Sequence, residues 1–184
     1  NTLCFHRQHL WRVLKQKIGV RPYLIQQGID LMTIGGRLVD FRALLLKPLD
    51  KWQFIGIMGK CGAKNKHVTN HCQGGKAISF KEALRAGLKF SDEQCGKLEQ
   101  EICELSLRIA GALNEYFPLI TELGLDIAVD RKGKLWLLEA NSKPRFDLFK
   151  SHENPDLYAE IAQTVHQLRQ RAAQIETPPM ETGL

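Results

Sequence analysis

Asp126, Glu139 and Asn141 are the residues whose types and spacing could do chemistry together. Asp126 and Glu139 stand thirteen positions apart, with Asn141 two further on. All three lie in the stretch Gly124 to Pro144, GLDIAVDRKGKLWLLEANSKP, which reads as two extended runs, LDIAVD and KLWLLEAN, joined at Arg131-Lys132-Gly133. Runs rich in Leu, Ile, Val and Trp around a Gly-containing connection of about three residues predict a β-hairpin. Alternation along the strands puts Asp126, Ala128 and Asp130 on one face of the first, and Leu137, Glu139 and Asn141 on one face of the second. Two carboxylates and an amide oxygen then converge. Such hard oxygen donors suit a magnesium ion shared between a protein and the phosphates of a nucleotide. The plainer alternative is that they are solvated polar ends of hairpin strands.

The elements that must position this hairpin follow from the rest of the chain. Pro118 stops a long helix that opens at the capping box Ser91-Asp92-Glu93-Gln94. Its apolar stripe is expected at Cys95, Leu98, Ile102, Leu105, Ile109 and Ala112, with Cys95 and Cys103 at or near the core. A shorter helix opens at Ser79-Phe80-Lys81-Glu82 and ends near Gly87 or Lys89. Upstream, YLIQQGI after Pro22 reads as a strand, Gly35-Gly36 as a turn, Arg37 to Lys47 as a second strand and Trp52 to Lys60 as a third. Asp40, Arg42, Leu44 and Leu46 share a face, so a carboxylate and a guanidinium sit side by side, either as a structural ion pair or as an arginine placed for phosphate. His6 to Ile18 is a short amphipathic helix with a basic face, ended by Gly19. Arg145 to His152 reads as a polar loop over the sheet edge. A final helix starts at Asn154-Pro155 and carries Leu157, Ile161, Val165 and Leu168, and residues from Thr177 on read as a disordered tail.

Between the third strand and the first capped helix the chain is glycine-rich and basic, with Lys60, Lys64, Lys66 and Lys76 among Gly59, Gly62, Gly74 and Gly75. This is either an anion cradle of backbone N–H groups and lysines or a surface loop. Neither G-x-x-x-x-G-K-[ST] nor G-x-G-x-x-G occurs in it. His67 and His71 have zinc-ligand spacing, but no closely spaced cysteine pair accompanies them, and zinc is not expected.

The chain has 184 residues, 43% hydrophobic and 25% charged, a composition that supports a globular core. No run approaches the apolar length of a membrane span, and no signal peptide opens the chain; a piece of a longer protein is expected. Five cysteines without a repeated short spacing fit reduced thiols. A net charge of +6 points to an anionic partner. No recognition motif organises the basic residues, so nucleic acid is not expected.

Four stretches in order, YLIQQGIDL, GRLVDFRALLLK, GAKNKHVTN with QGGKAIS, and LGLDIAVDRKGKLWLLEANSKP, resemble the C-terminal half of an ATP-grasp domain of the spore-coat-associated YheC/YheD family. A more distant similarity is to RimK-type ligases. The resemblance implies an α+β fold, a mainly antiparallel sheet with helices packed on it. Residues 1–20 would end the preceding subdomain and 21–176 would form the C-terminal subdomain. It implies ATP and Mg2+ as cofactors, with Gln26, Gln27, Gly28 and Ile29 at adenine and Gly74 and Gly75 beside the γ-phosphate. Arg42, Lys60 and Asn70 would act in catalysis, and Asp126, Glu139 and Asn141 would bind the metal. The implied reaction joins an unknown carboxylate, activated as an acyl-phosphate, to an unknown amine, either of them an amino acid or peptide. The family's glycine-rich lid and phosphate-binding lysine are expected upstream of Asn1, in the same protein. Lys60 stands where these families tend to have arginine, Gln73 replaces an arginine, and Arg145 follows Pro144 where glycine is usual. These departures leave a second reading, a degenerate ATP-grasp serving as a structural or binding component of the spore coat. Location is expected in the cytoplasm or at the coat.

Overall fold

A computed structural model describes residues 3–23, 26–62 and 76–176. The elements in chain order are α1 (Arg7–Ile18), β1 (Thr33–Ile34), β2 (Arg37–Leu46), β3 (Gln53–Cys61), β4 (Lys76–Ser79), α2 (Phe80–Leu88), α3 (Asp92–Tyr116), β5 (Glu122–Val129), β6 (Leu135–Asn141) and α4 (Leu157–Glu176). This is the expected α+β architecture. Five strands form an antiparallel sheet in the order β4-β3-β2-β5-β6, and β1 pairs with β2.

Alternation along β2 divides its side chains between two cores. Val39, Phe41, Ala43 and Leu45 join Ile57, Leu125, Ile127 and Val129 beneath α2 and α3. Leu44 and Leu46 join Met58 on the opposite face, covered by α4 and a 3-10 helix at Asp147–Ser151. Among the described residues, β2 and β5 are therefore covered along one face, but on the other only the part of the sheet around Leu44 and Leu46 has an apolar cover. Asp40 and Arg42, on that second face, lie beyond the apolar cover.

Both capped helices form where the sequence places them. Ser79 accepts from the Glu82 N–H, and Ser91 and Gln94 complete a reciprocal box at the start of α3. The buried stripe of α3 differs from the expected one: after Cys95, Leu98 and Ile102 it continues through Ser106 and Ala110, leaving Leu105 half-buried and Ala112 exposed. Counting only apolar residues misses a serine inside the stripe. Ser106 is fully buried and its hydroxyl has no hydrogen-bond partner among the described residues. Removing an unsatisfied buried hydroxyl while gaining helix propensity should help, so Ser106→Ala is expected to raise unfolding free energy by about 1 kcal/mol, read by urea denaturation. A loss of stability would mean that the hydroxyl has a partner.

Four further expectations are corrected. Gln26 to Ile29 form no strand; the segment leads to a single antiparallel bridge between Leu31 and Asp130, and the paired residues begin at Thr33. The Gly35-Gly36 turn, with φ of 54° and 74°, closes only this short pairing. Leu148 and Phe149, within the stretch expected as a polar loop, are core residues under α4. That helix starts at Leu157, because Asn154 spends its side chain on the Asp156 N–H in an Asx turn. The fourth concerns α1, which forms and ends at Gly19 but buries none of its residues. Residues 177–184, read as a tail, lie outside the described residues.

Candidate functional site

On the second face of the sheet, beyond the apolar cover, charged side chains gather from three adjacent strands. Arg42 on β2 is the direct register partner of Asp126 on β5, and Asp40 that of Lys60 on β3. Arg42 Nε donates to Asp126 Oδ1 at 2.6 Å. Lys60 Nζ lies 2.9 Å from Asp126 Oδ2 and 3.3 Å from Asp40 Oδ2, bridging the two aspartates. Arg42 thus pairs across strands rather than with Asp40 beside it on β2. Directly opposed residues lie about 5 Å apart, whereas neighbours on one face of a single strand are spaced by two rises, roughly 7 Å.

Asp40, Lys60 and Asp126 are buried. Burial alone would raise the pKa of Asp126, but the Arg42 hydrogen bond and charge, with Lys60 behind them, outweigh it and hold the carboxyl below its ordinary value. Asp126 is therefore an anion at neutral pH, with both oxygens already engaged by cations.

Glu139 on β6 is the register partner of Asp126, and Asn141 that of Gly124. Partners across a ladder share a face, so Asp126, Glu139 and Asn141 come together as expected. Two details of the hairpin differ. The register shifts next to Asp126 so that Leu137 pairs with Ile127, which belongs to the α3 side; Leu138 is the extra residue, and Leu137 does not share a face with Glu139. Asp130 is committed to the turn. Its Oδ1 accepts from the Lys132 and Lys134 N–H groups and its Oδ2 from the Trp136 indole, and the indole bond leads the causes that depress its pKa.

Gly124 and Pro144 shape the site's floor, a pairing the sequence reading left unused. A Cβ on Gly124 would lie 2.5 Å from Pro144 Cβ and 3.1 Å from Arg42 Nη1, so the missing side chain lets the Lys-Pro segment and the guanidinium lie over β5. Arg42 Nη1 also donates to the Arg145 carbonyl at 3.3 Å. The guanidinium is held on two sides, by a carboxylate and by the segment following β6.

Among the described residues no three His, Cys, Asp or Glu side chains converge to hold a metal ion by themselves. The donor set here is two carboxylates and one amide, and one carboxylate is shared with Arg42 and Lys60. That chemistry fits a magnesium carried in on phosphates better than an independent metal cage. Gln26, Gln27 and Gly28 are exposed and Ile29 half-buried; no hydrogen bond among the described residues ties them to the Arg42–Asp126 cluster. Asn70, Gly74 and Gly75, with His67 and His71, lie outside the described residues.

An antiparallel sheet with helices packed on both faces and a charged cluster at one end of its second face make up an ATP-grasp subdomain, a general ATP-dependent ligase-type fold. A sequence profile described as YheC/D like ATP-grasp matches residues 2–170. The chain belongs to this family. It is 32% identical over 136 residues to the endospore coat-associated protein YheD of Bacillus subtilis (strain 168), a match covering 72% of this chain and 28% of that protein. To the endospore coat-associated protein YheC of the same organism it is 24% identical over 144 residues, covering 78% of this chain and 39% of that one. The chain thus spans well under half the length of these relatives. Among the described residues no helix is long and apolar enough to cross a membrane.

Proposed function

We propose that this chain supplies the C-terminal catalytic face of an ATP- and magnesium-dependent carboxylate–amine ligase. The observation that carries the reading is the register Arg42↔Asp126↔Glu139 across β2, β5 and β6, beyond the apolar cover of the second face of the sheet. Residues 1–20 belong to the end of the preceding subdomain and 21–176 to the C-terminal one. ATP binds between this face and the other half of the fold, with Gln26 to Ile29 at adenine and Asn70, Gly74 and Gly75 beside the γ-phosphate.

In this reading Asp126, Glu139 and Asn141 offer oxygen ligands to the metal, which offsets phosphate charge when bound. Arg42 uses one donor on Asp126 and one on the Arg145 carbonyl, leaving the rest of its five N–H groups for phosphoryl oxygens. Lys60 adds a second cation beside it. The γ-phosphoryl group passes to a carboxylate oxygen and ADP leaves. The amine then attacks the acyl carbon, phosphate departs and the nitrogen loses a proton. Charge on the transferring group is stabilised by donors fixed beforehand, which is the main protein contribution to such transfers.

A second reading, a catalytically silent component of the spore coat, is favoured by the saturation of Asp126 by two cations and by Lys60, which cannot grip phosphate bidentately as arginine does. Hydroxylamine trapping separates the two. Incubated with MgATP, candidate amino acids and hydroxylamine, a ligase yields a hydroxamate and ADP in equal amounts. A screen giving neither product favours the coat component, and cytoplasmic location would then give way to the coat.

A further inference from the structure

A cleft of about 960 Å³ is lined in part by Ser142 to Asp147, the segment that follows Asn141 in the chain. Its walls come from the end of α3 and the loop after it, from the segment following β6, and from α4, at Tyr158 in its first turn and at Arg169, Ala172 and Ala173 further on. The volume is at the upper end of the range of small-molecule sites. Tyr116, Phe117 and Leu119, all exposed, and Tyr158 give it an apolar and aromatic lining.

Its charges are placed unevenly. Glu122, 4% exposed, is gripped by Arg169 through Nε at 2.7 Å and Nη2 at 2.8 Å. Asp147 is held by Arg145 and Lys150. Lys143 forms no ion pair among the described residues. The lining carries three cations (Lys143, Arg145, Arg169) against two anions (Glu122, Asp147), a surplus of one positive charge. Through the Arg145 carbonyl the same wall touches Arg42.

We propose that this cleft binds a small molecule with one carboxylate and an apolar or aromatic body, the body against Phe117, Leu119 and Tyr158 and the carboxylate at Lys143. Resting on the ligase reading above, this is the acid substrate: Arg145 in the cleft wall is hydrogen-bonded through its carbonyl to Arg42, where an acid would meet the γ-phosphate. An apolar amino acid or the C-terminus of a short peptide has this chemistry. ATP has the opposite balance, with several charges on the part that must reach the metal ligands.

The test uses N-acetyl-L-phenylalanine as the probe, with its uncharged carboxamide as the control, titrated into the 15N-labelled chain. The acid is expected to shift amides of Phe117, Leu119, Lys143 and Phe146 and to bind about fivefold more tightly than the amide, the worth of one partly exposed ion pair. Lys143→Ala, at an exposed position, should remove that preference and keep the apolar contact. Equal binding of acid and amide would overturn the proposal and make the cleft an apolar protein-docking surface, and no binding, or shifts elsewhere, would also overturn it. MgATP titrated separately into the protein carrying both halves of the fold reports on the ligase reading. An acid preference without nucleotide binding keeps the cleft and removes the ligase, whereas nucleotide binding without the preference removes the cleft alone.

Discussion

Asp126→Asn is expected to lower the unfolding free energy by about 3 kcal/mol, in the range found when one member of a buried ion pair is removed. The change keeps the size of the side chain and deletes its charge. Arg42 then keeps a neutral partner, and Lys60, 8% exposed at its side chain, is left with Asp40 alone. Urea denaturation at neutral pH measures the loss. The double variant Asp126→Asn/Lys60→Met should lose clearly less than the sum of the two single changes, because the stranded cation is gone. The pH dependence has a fixed sign. Folding holds the pKa of Asp126 below its ordinary 3.8, so its contribution is fully present above that value and fades as pH falls through the lower folded value. The gap between wild type and Asp126→Asn should therefore be flat across neutral pH and close only below about pH 3.8. A gap that closed near neutrality would show that Asp126 is not held as an anion by the two cations.

Gly124→Val should cost about 3 kcal/mol, at the upper end for inserting bulk into a packed site. The nearest obstacles are the Pro144 ring and the Arg42 side chain, and Pro144 is buried with its ring fixed to the backbone, so it has no side-chain rotation by which to give way. The added side chain must push out the Lys143–Arg145 segment or displace Arg42. Either movement breaks the hydrogen bond between Arg42 and the Arg145 carbonyl, so the stability loss should come with shifts in the NMR signals of Ser142 to Phe146. A stable Gly124→Val variant with unchanged spectra would refute the close packing of Pro144 over β5.

How much of this could be read from sequence depended on whether the determining contacts were local. The hairpin, the convergence of Asp126, Glu139 and Asn141, and both Ser-capped helices follow from short-range rules of alternation, turn chemistry and capping. The extra residue at Leu138 leaves no local mark, because a bulge is set by how two strands fit. Lys60 on Asp126 could not be foreseen either, since it requires the order β3-β2-β5 before a lysine sixty-six positions upstream becomes a diagonal neighbour. The same holds for Phe149: a short run of mostly polar residues hides two core side chains that have meaning only once α4 covers them. Ser106 misled the stripe of α3 for a related reason, as close packing there excludes solvent whatever the polarity of the small side chain. The proposed adenine segment shows the reverse error: Gln26 to Ile29, expected within a strand, form none, and the chain pairs with the hairpin at the bridge of Leu31.

The central claim is that the charged cluster on the second face of the sheet carries a magnesium-nucleotide site built on Asp126 and Glu139. Isothermal titration of ATP into the protein carrying both halves of the fold, with and without magnesium, tests it most directly when repeated on Glu139→Gln. Glu139 is exposed, so the variant should fold like the wild type. Magnesium-dependent binding that weakens at least about tenfold in the variant, a difference of 1.4 kcal/mol, is the expected result. Nucleotide binding indifferent to magnesium and to Glu139, or no binding by the folded protein, would contradict it and leave the charged face as a structural ion cluster.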